Sequence, residues 1–199
     1  MTTLDQVDLI LASTSRYRRE LLARIVPRFR QLAPAVDETP LPRETAHVLA
    51  ERLALAKARA VAADQRNALV IGSDQAAELE GAIIGQPGDA AAAVVQLVAS
   101  SGKIVTFHTA LCVIDTRAAQ PRVHRAIDRT RVHFRALRRD EIERYVERER
   151  PLDCAGSFKA EGLGIALFER IETQDPAALI GLPLIALCRL LAEAGIDVI

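Results

Sequence analysis

The chain has no tryptophan and only two tyrosines, so its core must come from the Ala, Leu, Ile and Val that dominate its 50% hydrophobic content. Net charge is missing too. Acidic and basic residues number 26 each, which removes the electrostatic argument for nucleic acid or an anionic membrane as partner. The three cysteines, Cys112, Cys154 and Cys188, show no CxxC spacing; this excludes a disulfide framework and the usual zinc patterns. His47, His108, His124 and His133 are scattered and form no HExxH pair. No apolar run reaches membrane-spanning length, and Asp5 and Asp8 interrupt anything resembling a secretory leader. Internal repeats, low-complexity tracts and an interdomain linker are also absent. These absences predict a cytoplasmic globular protein, with residues 1–199 forming a single domain around one sizeable core. Lysine is scarce as well. Only Lys57, Lys103 and Lys159 stand among the 26 basic residues, so each merits inspection.

What is present begins with LASTSRYRRELL, Leu11 to Leu22. An apolar strand, Leu9–Ala12, runs into Ser13, Thr14 and Ser15, and a helix over Arg16–Ile25 carries Arg16, Arg18 and Arg19 in its first turns. Helix N-termini bear unpaired N–H groups and partial positive charge, so cations there oppose the macrodipole unless an anion binds. Hydroxyls and guanidinium groups at that position suggest a phosphate cradle. The same residues also suit an ordinary Ser cap with solvated arginines.

Strands and helices alternate along most of the chain, which predicts an α/β class. Phe29–Ala33 reads as a second strand, and the proline-rich Pro34–Pro42 segment as a shaped loop. Thr45–Ala63 reads as a long helix with Leu49, Leu53, Ala56 and Ala60 on its apolar stripe and Lys57 at the border. Leu69–Gly72 is a buried strand ending at Ser73, Asp74 and Gln75; Asp89 caps a helix running to Ser100. Long strands over Ile104–Asp115 and Val123–Phe134 precede a charged helix, Arg138–Arg150. A Gly-rich loop and strand follow over Cys154–Gly164, then a strand over Ile165–Ile171. The last helix, Leu184–Ala194, has Pro183 in its first turn.

Three acids stand where chemistry is done. Asp74 lies at the C-terminal end of a buried strand, where α/β sheets bind ligands. Glu38 sits in the proline-rich loop, and Glu161 in CAGSFKAEGLG. Two carboxylates near a triphosphate are useful mainly through a hard divalent ion.

Taken in order, LASTSRYRRELL, APAVDETP, LALAKARAVA, IGSDQ, IVTFHTALCVID, CAGSFKAEGLG and LIGLPL resemble the Maf-type nucleotide pyrophosphatases. The similarity covers nearly the whole chain and is greatest to the branch acting on 7-methyl-GTP. The resemblance implies an elongated mixed β-sheet flanked by helices, like that of inosine-triphosphate pyrophosphatases. It also implies a homodimer and a divalent cation (Mg, Mn or Co) as cofactor, with a nucleoside triphosphate as substrate. Ser13 and Arg18 then grip phosphates and Lys57 adds a charge. Glu38 and Asp74 hold the metal, with Asp74 as the catalytic base that activates water. Tyr17, Gln75 and Glu161 match the positions that separate the base-specificity branches; the thymidine/uridine branch has Arg, Thr and Gln there.

Physical chemistry favours the same base. N7-methylated guanine is a cation that can stack on Tyr17 with a cation–π component, about 2 kcal/mol when desolvated. The Glu161 carboxylate can accept from both N1–H and the amino group. The chain departs from the family at Gly85-Gln86-Pro87, where Gly-Lys-Pro is usual; Gln86 donates hydrogen bonds without charge. Arg16 or Arg19 would be the compensating cation. A rival expectation is a nucleotide-binding regulator of cell division with little catalysis, or the same chemistry on another nucleoside triphosphate.

Overall fold

The computed structural model describes residues 2–199. Its sheet has the strand order β3-β2-β4-β6-β7-β8, with β5 also paired to β4. Here β2 is Asp8–Ala12, β3 Arg30–Leu32, β4 Ala68–Leu79 and β5 Ala82–Ile84, while β6 is Ile104–Asp115, β7 Arg122–Phe134 and β8 Phe168–Glu172. A separate parallel pair joins β1 (Thr2–Thr3) to β9 (Ile196–Asp197). The helices are α1 (Arg16–Leu22), α2 (Ala46–Ala62), α3 (Ala90–Ser100), α4 (Arg139–Glu149) and α5 (Leu184–Glu193). This is a mixed α/β fold whose sheet is mostly antiparallel.

Strand β4 organises the molecule. Its first residues pair in parallel with β2, from Asp8↔Ala68 to Ala12↔Gly72. Beyond Gly72 it continues, antiparallel to β6, as far as Leu79↔Val105. Asp74 is therefore inside a twelve-residue strand and not at its end. The expected terminus at Gly72 is where the parallel partner stops.

Alternation along β4 sends its side chains to two faces. Leu69 and Ile71 join Leu21 and Leu22 of α1 and Leu187, Leu190 and Leu191 of α5 in one buried cluster. On the opposite face Ala76, with Ala110, Cys112 and Ile114 of β6, packs against Ala46, Leu49, Ala50, Leu53, Ala54 and Ala58 of α2. A third cluster fills the far end of β6 and β7. There Phe107, Phe134, Phe158 and Phe168 meet edge-to-face, with centroids 4.7–5.7 Å apart, the arrangement that aromatic quadrupoles favour.

Gly72 sets the approach of α2. A Cβ there would lie 2.4 Å from Ala54 O and 2.7 Å from Ala58 N, so only glycine lets the helix lie this close to the strand. The buried stripe of α2 accordingly runs through Ala46, Leu49, Ala50, Leu53, Ala54, Ala58 and Val61. It contains Lys57 itself, whereas Ala60 is exposed. The expected stripe through Ala56 and Ala60, with Lys57 at its border, is thus rotated, so that Ala54 and Ala58 lie against Gly72.

Other boundaries shift for local reasons. Helix α1 closes at Leu22, three residues before the expected end. Thr45 and Asp89 act as side-chain N-caps for α2 and α3. Pro183 precedes the first turn of α5 as its N-cap residue. The Cys154–Gly164 segment forms no strand. It folds as 3-10 turns at Ala155–Ser157 and Leu163–Leu167, and β8 begins only at Phe168.

Candidate active site

The close packing at Gly72 has a chemical consequence two residues on. Gly72 and Asp74 share a face of β4, and Lys57 precedes Ala58 on the helix pressed against it. Lys57 Nζ donates to Asp74 Oδ1 at 2.6 Å and to Glu38 Oε2 at 2.7 Å. Lys57 and Asp74 are buried, whereas the Glu38 side chain is 56% exposed. Desolvation raises the pKa of Asp74, and the neighbouring Lys57 and Arg18 charges oppose that rise. Arg18 is anchored on its own side: its Nε donates to Gly181 O at 2.9 Å. Burial lowers the guanidinium pKa, while Asp74 and Glu38 act to raise it.

The opposite face of β4 is held by neutral groups. Ser73 Oγ lies within donating distance of Ala110 O (2.8 Å) and Gly181 O (3.1 Å). Gln75 Nε2 donates to Thr109 Oγ1 at 2.9 Å, Ala178 O at 3.0 Å and Leu179 O at 3.1 Å. Thr109 in turn donates to Ala178 O at 3.0 Å. With both amide hydrogens used by the protein, Gln75 presents its Oε1 as an acceptor.

Three contiguous cavities surround these groups, and Arg18 and Gln86 line all of them. One, of about 160 Å³, is walled by Tyr17, Gln75, Phe107, Phe158 and Glu161. The next, of about 430 Å³, is lined by Ser13, Thr14, Arg16, Glu38 and Lys57. The third, of about 330 Å³, contains Asp74, Glu38 and Lys57 against the apolar Leu49 and Leu53. An aromatic, acidic chamber therefore opens onto a chamber lined by several cations.

The residues to which the resemblance assigns a role all line this cleft, though some do work not foreseen for them. Lys57 bridges the two carboxylates as well as facing the larger cavity. Ser15 serves as the N-cap of α1, accepting from Arg18 N, and Ser13 Oγ accepts from Ser15 N at 3.1 Å. Arg19 is not a cleft residue; it lines a separate hollow with Phe29 and Gln31, because its position on α1 faces β3. Asp153, Thr109 and Gly181 were missed. Asp153 lines the first two cavities, and its only sequence signal was an acid just ahead of CAGSFKAEGLG.

The donor set bears on a divalent metal. Glu38 Oε2 and Asp74 Oδ1 both accept from the Lys57 ammonium, so two hard oxygen donors lie close together with one cation already between them. Among the described residues no group of three His, Cys, Asp or Glu joins into a metal cage. Two carboxylates with the remaining positions left to water and phosphate oxygens suit a small hard cation such as magnesium. Among the described residues, no helix is long and apolar enough to cross a membrane.

The family described as Maf-like protein matches residues 8–194. A relative from Aromatoleum aromaticum, named 7-methyl-GTP pyrophosphatase, is 55% identical over 188 residues, covering 94% of this chain and 96% of its own. Another of the same name, from Xanthomonas oryzae, is 56% identical over 187 residues, again covering 94% and 96%. Among solved structures, a HAM1 protein from Coxiella burnetii aligns with 94% of this chain and 99% of its own, at 15% identity and a TM-score of 0.49.

Proposed function

The chain belongs to the Maf family, and from that premise we propose that it hydrolyses 7-methyl-GTP to the monophosphate and pyrophosphate, clearing a modified nucleotide from the cytoplasmic pool. The observation that carries this reading is the continuity of two unlike chambers. The chamber with Tyr17, Gln75 and Glu161 suits a cationic purine, and the chamber with Ser13 and Lys57 suits its phosphates. The single-domain organisation and the homodimer implied by the family belong to the same proposal.

Asp74 is the base. One carboxylate oxygen is held by Lys57, which leaves the other to accept a proton from water. As the water oxygen bonds to the α-phosphorus, the proton passes to Asp74 and the α–β bridging P–O bond breaks, so that pyrophosphate leaves. Burial raises its pKa, which strengthens the carboxylate as a base, and the Lys57 and Arg18 charges oppose that rise. A divalent ion held by Glu38 and Asp74 would supply Lewis-acid stabilisation of the negative charge developing on phosphate. Arg18, fixed by Gly181 O, and Ser13 position the triphosphate. In the base chamber, the Gln75 oxygen and the Glu161 carboxylate accept from the purine edge while Tyr17 stacks on the ring.

The test is a panel of 7-methyl-GTP, GTP, UTP and dTTP incubated with protein and divalent ion, with pyrophosphate release as the readout. The highest specificity constant should fall on 7-methyl-GTP. Preference for UTP or dTTP would overturn the base assignment, and release from none of them would overturn the catalytic reading.

A further inference from the structure

Arg16 rests on an aromatic ring inside a cleft built for anions. Its guanidinium carbon lies 4.7 Å from the Tyr17 ring centroid, and its Nη2 donates to Tyr17 Oη at 2.9 Å. Arg16 is exposed, so this contact is weak and easily exchanged. The other cations of the same 430 Å³ cavity each already make a contact within the protein. Lys57 is held by Glu38 and Asp74, and the Nε of Arg18 by Gly181 O. Glu38 and Asp153 also line this cavity, so much of its positive charge is already offset. A triphosphate arriving there needs a cation that is not already engaged. Gln86, at the same wall, offers hydrogen bonds but no charge.

We propose that Arg16 is a substrate-binding residue that leaves the Tyr17 ring to bind the triphosphate. The inference rests on the nucleotide-pyrophosphatase reading above and deepens it. The planar guanidinium fork matches two phosphate oxygens at once. Tyr17 lines both the base chamber and the phosphate chamber, whereas Arg16 lines only the second. A cationic base stacked on Tyr17 therefore shares the ring with Arg16, and repulsion between the two cations pushes Arg16 toward the phosphates. One tyrosine thus couples recognition of the base to recognition of the triphosphate.

The experiment is calorimetric titration of wild type, Arg16→Gln, Arg16→Lys and Tyr17→Phe with two probes, inorganic tripolyphosphate and the nucleoside 7-methylguanosine. Arg16→Gln should weaken tripolyphosphate about tenfold, the scale of one charge-assisted contact, and leave the nucleoside within about twofold. Arg16→Lys should recover most of the tripolyphosphate affinity. Tyr17→Phe, which removes only the Oη anchor, should bind tripolyphosphate at least as well as wild type. Unchanged tripolyphosphate binding in Arg16→Gln would overturn the proposal. Equal losses for both probes would also overturn it, since Arg16 would then only brace Tyr17. Tripolyphosphate carries no base and needs no turnover, so this arm stands apart from a failure of the 7-methyl-GTP assignment, which would show in wild-type hydrolysis.

Discussion

Asp74 and Gln75 are neighbours in sequence and opposites in environment. The face of β4 bearing Asp74 meets α2 and is held by charge, with one ammonium between two carboxylates. The face bearing Gln75 meets the 177–181 turn and is held by neutral bonds to backbone carbonyls. On the function proposed above, the difference matches two tasks. A base must remain ionised while partly desolvated, which requires compensating charge. A reader of hydrogen-bond edges must keep one amide orientation, which fixed carbonyls enforce. On that proposal, the period of two along β4 places the base and the edge reader on opposite faces of one strand.

Removing the charge on the α2 face should have the largest effect. Asp74→Asn keeps the size of the side chain but is neither a base nor a good ligand for a hard cation, so turnover should fall by at least about two orders of magnitude. Nucleotide binding and thermal unfolding of the variant establish that the fold persists. Normal turnover would make Asp74 a structural partner of Lys57.

The recognition side should respond in specificity. Glu161→Gln removes the charge that favours a cationic purine, and Tyr17→Arg replaces stacking by repulsion. Together they should lower the 7-methyl-GTP to UTP ratio of specificity constants by roughly ten- to a hundredfold, since one charge-assisted hydrogen bond and one stacking interaction disappear together. An unchanged ratio would mean that the base is read elsewhere, and would leave the pyrophosphatase reading intact.

How much of this was legible differs between the two faces as well. The order of motifs, the N-cap Asp89 and the long β6 and β7 follow from residue types and local patterning. The continuation of β4 through Ala76 and Ala77 does not, because alanine is a poor strand former and pairing with β6 and β5 is what extends the strand. Nor does the burial of Lys57, which depends on the small residues Ala54 and Ala58 meeting Gly72. Contacts such as Arg18 to Gly181, 163 residues apart, have no local signature. The acids were visible as types; their shared ammonium was not.

Gly72→Ala tests whether the charged face depends on close packing. The added Cβ meets backbone atoms of α2, which cannot rotate away. Overpacking of this kind destabilises by about 1–3 kcal/mol, measurable by denaturant unfolding. Displacing α2 also moves Lys57 from Asp74, so kcat should fall while the preference among bases stays constant. A shift in base preference at constant kcat would show that the two faces are coupled through the strand.

The smallest effect concerns the loop that carries Glu38. Glu44 accepts from Arg52 Nε at 2.7 Å and from Arg52 Nη2 at 2.8 Å, and from Leu41 N at 2.9 Å, tying this loop to α2. These partners, Arg52 foremost, hold its carboxyl well below the ordinary 4.5, at about 2. A depressed folded-state pKa contributes stability that is present above the unfolded value and lost as pH falls through the folded one. Wild type should therefore unfold at a slightly higher temperature than Glu44→Gln at pH 7, and the gap should close as pH falls from 4.5 toward 2. Salt should narrow the gap only partly at neutral pH, because the Arg52 side chain is 30% exposed but that of Glu44 only 4%. The bonds of Gln75 and Thr109 to each other and to the 177–181 turn involve no charged group, so Thr109→Val should be destabilised relative to wild type by a margin that acid and salt leave unchanged. A Glu44→Gln difference that stayed constant across that pH range would place the anchoring of the loop in packing and not in charge, and would erase the contrast between the two faces at its outer edge.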